Sequence, residues 1–135
     1  MKVYVFDASA LVAFLLGKPG AHKVNELLKE ALRGRAEILI SAVNYGEVHG
    51  VVLREHGAAR AQATMSAVDP LPLSVVDCSR HAATQAAEIK AKYKLYYVDS
   101  FAAALAIEHN ASLVTSDSDF RRLGHGFPVV WLKAT

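Results

Sequence analysis

Cysteine is nearly absent. With Cys78 alone no intramolecular disulfide can form, so the fold has to rest on a hydrophobic core, and the composition fits a reducing compartment. Charge of one sign is also scarce. Fifteen basic residues against thirteen acidic ones leave a net +2, too little to attract nucleic acid in bulk, so any phosphate-binding surface has to be local. Long apolar runs are missing, since nothing uncharged approaches the ~18 residues that cross a bilayer. Asp7 interrupts the apolar N-terminus and no small-residue cleavage pattern follows it, which argues against a signal peptide. The expectation is a cytoplasmic protein with no membrane partner. Repeats, low-complexity tracts and linkers are absent, and 135 residues, 53% of them hydrophobic and 21% charged, suit one globular domain over 1–135. There is no G-x-S-x-G nucleophile motif, and Cys78 with His81 gives half a zinc-site spacing that no second pair completes.

What is present begins at the N-terminus. The run Val3-Tyr4-Val5-Phe6 has strand length and stops at Asp7, after which Ala8 to Leu16 reads as a short apolar helix ended by Gly17 and Pro19. In open α/β sheets ligands bind outside the carboxyl ends of the strands, which is where Asp7 falls, although a lone aspartate there equally suits a helix N-cap. A second helix is predicted from near Pro19 to Leu32, with Val24, Leu27, Leu28, Ala31 and Leu32 as its apolar stripe. A strand at Ile38–Ile40 leads to Ser41, an N-cap for a helix with Val43, Glu47, Val51 and Arg54 on one face, where Gly46 and Gly50 suggest close packing.

Ala58–Val68 reads as a helix and Leu73–Val76 as a strand ending at Asp77. Ser79 caps a helix through Lys92 that buries Ala82, Ala86, Ile89 and Tyr93, and Tyr93–Tyr97 is a connection. From Asp99 a helix through Ile107 is apolar all round, hence central, and Asn110 ends it. Leu113–Thr115 is a strand, Asp117–Leu123 a short helix and Pro128–Leu132 a last strand. The alternation predicts an α/β fold with a central, mainly parallel sheet flanked by helices.

Asp7, Glu47, Asp99 and Asp117 each lie at the edge of an apolar segment. Burying an unpaired carboxylate costs several kcal/mol, so such groups need donors, basic partners or a metal. The lysine or arginine nearest to Glu47 in sequence is Arg54, about two helical turns away. A hard divalent cation, Mg2+ or Mn2+, satisfies all four acids economically. The helix dipole favours charge on Asp99 and Asp117, which open helices, and Asn44, one turn before Glu47, is placed either to orient its carboxylate or to face water.

The segments V-Y-V-F-D-A-S-A-L-V at Asp7, S-A-V-N-Y-G-E-V at Glu47, L-P-L-S-V-V-D-C-S at Asp77, Y-Y-V-D-S-F-A-A-A-L-A at Asp99 and L-V-T-S-D-S-D-F at Asp117 occur in one order from Val3 to Trp131. Together they resemble a PIN-domain ribonuclease, most like the VapC-type toxins of prokaryotic toxin–antitoxin pairs. The resemblance implies that Asp7, Glu47, Asp99 and Asp117 form an acidic metal site, that Ser9 and Thr115 hold a carboxylate or a water, and that Asp119 is an auxiliary acid. It further implies metal-assisted hydrolysis of RNA phosphodiester bonds with Mg2+ or Mn2+, a homodimer, and a cognate antitoxin that covers the site.

Two other readings stay open. A PIN-like module that binds RNA or a protein without cleaving it would not need clustered acids. A phospho-receiver domain would use Asp77 with Asp7 and Lys133, but it wants an acidic pair at the first strand, where Ala8 and Ser9 follow Asp7. A haloacid-dehalogenase-type phosphatase needs an aspartate where Ser9 stands. For phosphate contacts the candidates are Arg54, Arg121 and Arg122, and the Tyr93–Tyr97 run with Lys92 and Lys94 serves either base stacking or packing of the connection.

Overall fold

Short β-branched runs form the strands, and helices return the chain across the sheet between them. The computed structural model describes residues 1–133, in the order β1 (Lys2–Phe6), α1 (Ala8–Leu16), α2 (Ala21–Leu32), β2 (Ala36–Ser41), α3 (Ala42–His56), α4 (Ala58–Ser66), β3 (Ser74–Val76), α5 (Arg80–Tyr93), α6 (Tyr97–Glu108), β4 (Ser112–Thr115), a 3-10 helix (Ser118–Leu123) and β5 (Val129–Trp131). The strands form one five-stranded sheet in the order β3-β2-β1-β4-β5, and every pairing is parallel. The chain runs outward from β1 through β2 to β3, then crosses back to place β4 on the other side of β1. That reversal puts the topological switch point between the carboxyl ends of β1 and β4.

Strand alternation fills the two faces differently. Phe6, Ile38, Ile40 and Val114 point to one side, where they meet Leu11 of α1, Val24, Leu27 and Leu28 of α2, Val48 of α3 and Met65 of α4. Val5, Leu39 and Leu113 point to the other, against Ala102, Ala103, Leu105 and Ala106 of α6 and Phe120 of the 3-10 helix. The alanines of α6 let its backbone lie close to the sheet, which brings the first turn of α6, carrying Asp99, to the strand ends.

Several details depart from the sequence expectation. Leu32, assigned to the stripe of α2, is 76% exposed, because the helix ends there with nothing beneath it. Gly46 and Gly50 have open space where a Cβ would stand, so no close packing explains them. The strand at Ile38–Ile40 extends to Ala36–Ser41, Tyr93 belongs to α5, and α6 begins two residues before Asp99. Ile107 is half exposed, and Tyr97 and Glu108 at the two ends of α6 are exposed as well, so only its middle is buried. Ser41 and Ser79 cap α3 and α5, accepting from the Val43 and Ala82 amides, and Asn110 takes the left-handed conformation after α6. Among the described residues no helix is long and apolar enough to cross a membrane.

The core assignment is testable with two leucines. Leu113 is fully buried in β4 whereas Leu32 is open, so Leu113→Ala is expected to cost about 2–5 kcal/mol and Leu32→Ala under about 0.5 kcal/mol in urea unfolding. Equal losses would contradict this layering.

Candidate acidic metal site

Asp7 leaves β1 in extended conformation and N-caps α1, its Oδ1 accepting from the Ala10 amide at 3.1 Å. The N-cap expectation for this residue is therefore met. The Ser9 hydroxyl donates to Oδ1 at 2.7 Å and the Thr115 hydroxyl, from the end of β4, donates to Oδ2 at 2.6 Å. Thr115 Oγ1 in turn accepts from the Asp117 amide at 2.9 Å, and Ser9 Oγ from the Ser116 amide at 3.0 Å. One carboxylate, only 4% exposed, thus ties the ends of β1 and β4 together and fixes where the chain after Thr115 goes.

That chain turns at once. Asp117 caps the 3-10 helix by accepting from the Asp119 amide at 2.9 Å, which folds the Asp119 side chain back toward Asp117. Asp99 arrives from the first turn of α6, and carboxylate oxygens of Asp99, Asp117 and Asp119 all lie within 4.8 Å of one another. Of the four acids singled out in the sequence, Asp99 and Asp117 are in this tight group, while Asp7 and Glu47 flank it. Asp119, expected only as an auxiliary, is a full member. Its signal in the sequence was its spacing, Asp117-Ser118-Asp119, which suits a side-chain-capped turn.

The charges oppose one another. Burial first, and then repulsion from Asp117, Glu47, Asp7 and Asp119, pushes the Asp99 carboxyl up to about 7. Burial pushes Asp7 up to about 6, with Asp117 adding to the rise, although Thr115, Ser9 and the Ala10 amide pull the other way. Glu47 is raised by burial first, against its bond to Asn44 and with repulsion from Asp117, but its exposure allows water to screen that effect. The helix terminus favours charge on Asp99, as expected for a ligand, but without a cation desolvation and the neighbouring acids are the larger effects.

Asn44 was weighed as an orienting or an exposed residue and is fully buried. Its Nδ2 donates to the Val98 carbonyl at 3.1 Å and lies 3.5 Å from Glu47 Oε1, a marginal contact, while its Oδ1 has no partner. It joins α3 to the residue just before Asp99. The arginines divide. Arg122 reaches the Lys94 carbonyl at 2.9 Å and stands 4.0 Å from Asp119, whereas Arg121 lies over the Trp131 ring at 4.7 Å, and Arg54 is exposed at the end of α3. Asp77 is exposed beyond β3, at the sheet edge, separated from Asp7 by β2, so these two aspartates do not make a receiver pocket.

A parallel sheet whose switch point gathers carboxylates from β1, α3, α6 and the turn after β4 defines the class. The sequence matches the PIN domain family over residues 4–126, and the chain belongs to that family. No curated protein matches it. Among solved structures it is similar to VapBC2 from Rickettsia felis bound to a promoter DNA fragment, with a TM-score of 0.75, 20% identity, and 97% of this chain and 99% of that one covered. It is also similar to DNA-bound VapBC from Salmonella typhimurium, at TM-score 0.74 and 19% identity over 96% and 98% of the two chains. A third similar structure is VapC20 of Mycobacterium tuberculosis, a toxin that cleaves the sarcin-ricin loop, at TM-score 0.71 and 19% identity over 91% and 95%. At these identities the likeness is one of fold.

The site makes two predictions. Acids whose pKa rises on folding, Asp7 from 3.8 to about 6 and Asp99 from 3.8 to about 7, bind protons more tightly when folded. The metal-free protein should therefore lose stability as pH rises from about 4 to about 7, which a series of melting curves in chelator would show. A melting temperature that rises across that window would contradict the shifts. Thr115→Val keeps the shape but removes a donor to the ionised Asp7 carboxylate and strands the Asp117 amide. It should cost about 1.5–3 kcal/mol near neutral pH and less near pH 4, where Asp7 is neutral.

Proposed function

We propose that this chain is a ribonuclease that hydrolyses RNA phosphodiester bonds with Mg2+ or Mn2+ at the acidic cluster, and that it is the toxin of a type II toxin–antitoxin pair. The observation that carries the reading is the convergence of Asp99, Asp117 and Asp119 oxygens within 4.8 Å, in a site where burial and the neighbouring acids raise the cost of the Asp99 charge. A module that only bound RNA or protein would gain nothing from that repulsion.

The donor set fits a hard divalent cation. It consists of carboxylate oxygens alone, open enough to leave room for water, and it carries excess negative charge that a cation neutralises. Asp99, Asp117 and Asp119 would hold the ion, with Asp7 and Glu47 completing the acidic ring. Bound there, it supplies charge neutralisation at the phosphodiester and lowers the pKa of an attacking water. The chain's own contribution is positioning. Ser9 and Thr115 hold Asp7 in one rotamer, Thr115 fixes the Asp117 backbone, and Asn44 ties α3, which carries Glu47, to the residue before Asp99. Asp99, its carboxyl pushed up by burial and the neighbouring acids, would serve as a ligand in its ionised form, its proton passing to solvent.

The family supports nuclease chemistry. The fold likeness to proteins solved as VapBC complexes, and to a toxin described as cleaving RNA of the sarcin-ricin loop, supports an RNA substrate and an antitoxin partner. A homodimer and a cytoplasmic location belong to the same reading.

The test is cleavage of RNA with Mn2+ or Mg2+ against the same reaction in chelator. Asp99→Asn and Asp117→Asn should each lose ~100-fold or more in rate, since even residues that only orient metal ligands are worth ~10–100-fold. Asp77→Asn, away from the cluster, should cleave as the wild type does. Cleavage that survives chelation, or that survives Asp99→Asn, would contradict the proposal.

A further inference from the structure

Beside the acids the surface changes sign. An open groove of about 460 Å³ is lined by Lys90, Ala91, Lys94, Leu95, Tyr96 and Arg122. Its walls carry three cations and no acid. A depression on α2 carries four cations, Lys23, Lys29, Arg33 and Arg35, but there Glu26 and Glu30 stand 3.5–3.7 Å from three of them and halve the net charge. The groove's volume lies within the ~300–1,000 Å³ of sites that accept small ligands, enough for a nucleotide unit.

Two features join this groove to the acidic cluster. Arg122, held against the Lys94 carbonyl at 2.9 Å, stands 4.0 Å from Asp119, so one guanidinium borders both regions. Tyr96 is the N-cap residue of α6, three positions before Asp99, and its side chain is 72% exposed. An aromatic ring left in water beside Lys90, Lys94 and Arg122, within a helical turn of Asp99, has the composition of single-strand nucleic-acid subsites: cations track the backbone and a ring stacks on a base.

Building on the ribonuclease reading, we propose that this groove is the subsite for the RNA strand flanking the scissile phosphate, with Lys90, Lys94 and Arg122 against phosphates and Tyr96 stacked on an unpaired base. The groove accordingly selects single-stranded or splayed RNA, because a ring can stack only on a base out of its duplex. An acidic peptide would match the cations too. It has no use for the exposed ring.

The experiment is fluorescence anisotropy of a labelled single-stranded RNA of about 12 nucleotides on the full chain, in chelator so that nothing is cleaved. Lys90→Gln with Lys94→Gln keeps the side-chain stems. It should weaken binding about tenfold or more and reduce the slope of log K against log salt by about 1.4, two phosphates' worth for a single strand. Tyr96→Ala, at an exposed position, should weaken binding at least about fivefold with little change in that slope. Lys23→Gln with Lys29→Gln removes the same charge from α2 and should matter little. The proposal is overturned if the wild type does not bind the RNA, if the groove pair behaves like the α2 pair, or if a labelled polyglutamate peptide binds as well and Tyr96→Ala changes nothing. Cleavage with Mn2+ measured in parallel separates the two readings. Groove variants equal to the control with cleavage intact overturn the subsite alone, while a groove effect without metal-dependent cleavage supports the subsite and overturns the ribonuclease reading.

Discussion

The carboxylate of Asp7 is gripped from three sides at the one place in the sheet where the chain reverses its direction of winding. Thr115 reaches it from β4, Ser9 from α1, and the Ala10 amide from the first turn of that helix. Because Thr115 and Ser9 also receive the Asp117 and Ser116 amides, the grip sets the path of the chain that carries Asp117 and Asp119. The hydrogen bonds are charge-assisted, and in a buried setting their loss would strand both a carboxylate and a backbone amide.

The same arrangement is self-opposing. Asp117 repels Asp7, Glu47 and Asp99 alike, which makes it the shared source of unfavourable charge. Natural chains accept such local cost where function requires it, and the remainder of this structure compensates with two well-filled faces of a parallel sheet. The cost also has a direction. It grows with ionisation, so folding and proton binding are coupled at one cluster, and a cation bound there, as proposed, would relieve it.

Much of this was legible in the sequence, for a physical reason. A buried strand that stops at an aspartate, and a helix apolar all round that opens with one, are anomalies that burial energetics makes visible without coordinates. Asp7, Asp99 and Asp117 were found that way, and the strand–helix alternation carried the parallel sheet. What was not legible depends on where surfaces end and how turns close. Leu32 continues a perfect helical stripe beyond the layer it packs on. Asp119 joins the cluster only because its amide bonds back to Asp117. Arg121 and Arg122 are neighbours in sequence, yet one lies over Trp131 and the other borders the acids and Lys94. Asn44 reads as an ordinary polar residue on a helix, and only the packing of α3 on α6 buries it.

The central claim is that the acids form a cation site whose ionisation is held back until the cation arrives. Titration calorimetry with Mn2+ near pH 7, repeated in two buffers of different ionisation enthalpy, tests it most directly. With Asp99 near half-protonated at that pH, binding should release protons, so the apparent enthalpies should differ between buffers, and the difference should vanish near pH 9. No binding at millimolar-order Mn2+, or binding whose heat is the same in both buffers at pH 7, would contradict the account.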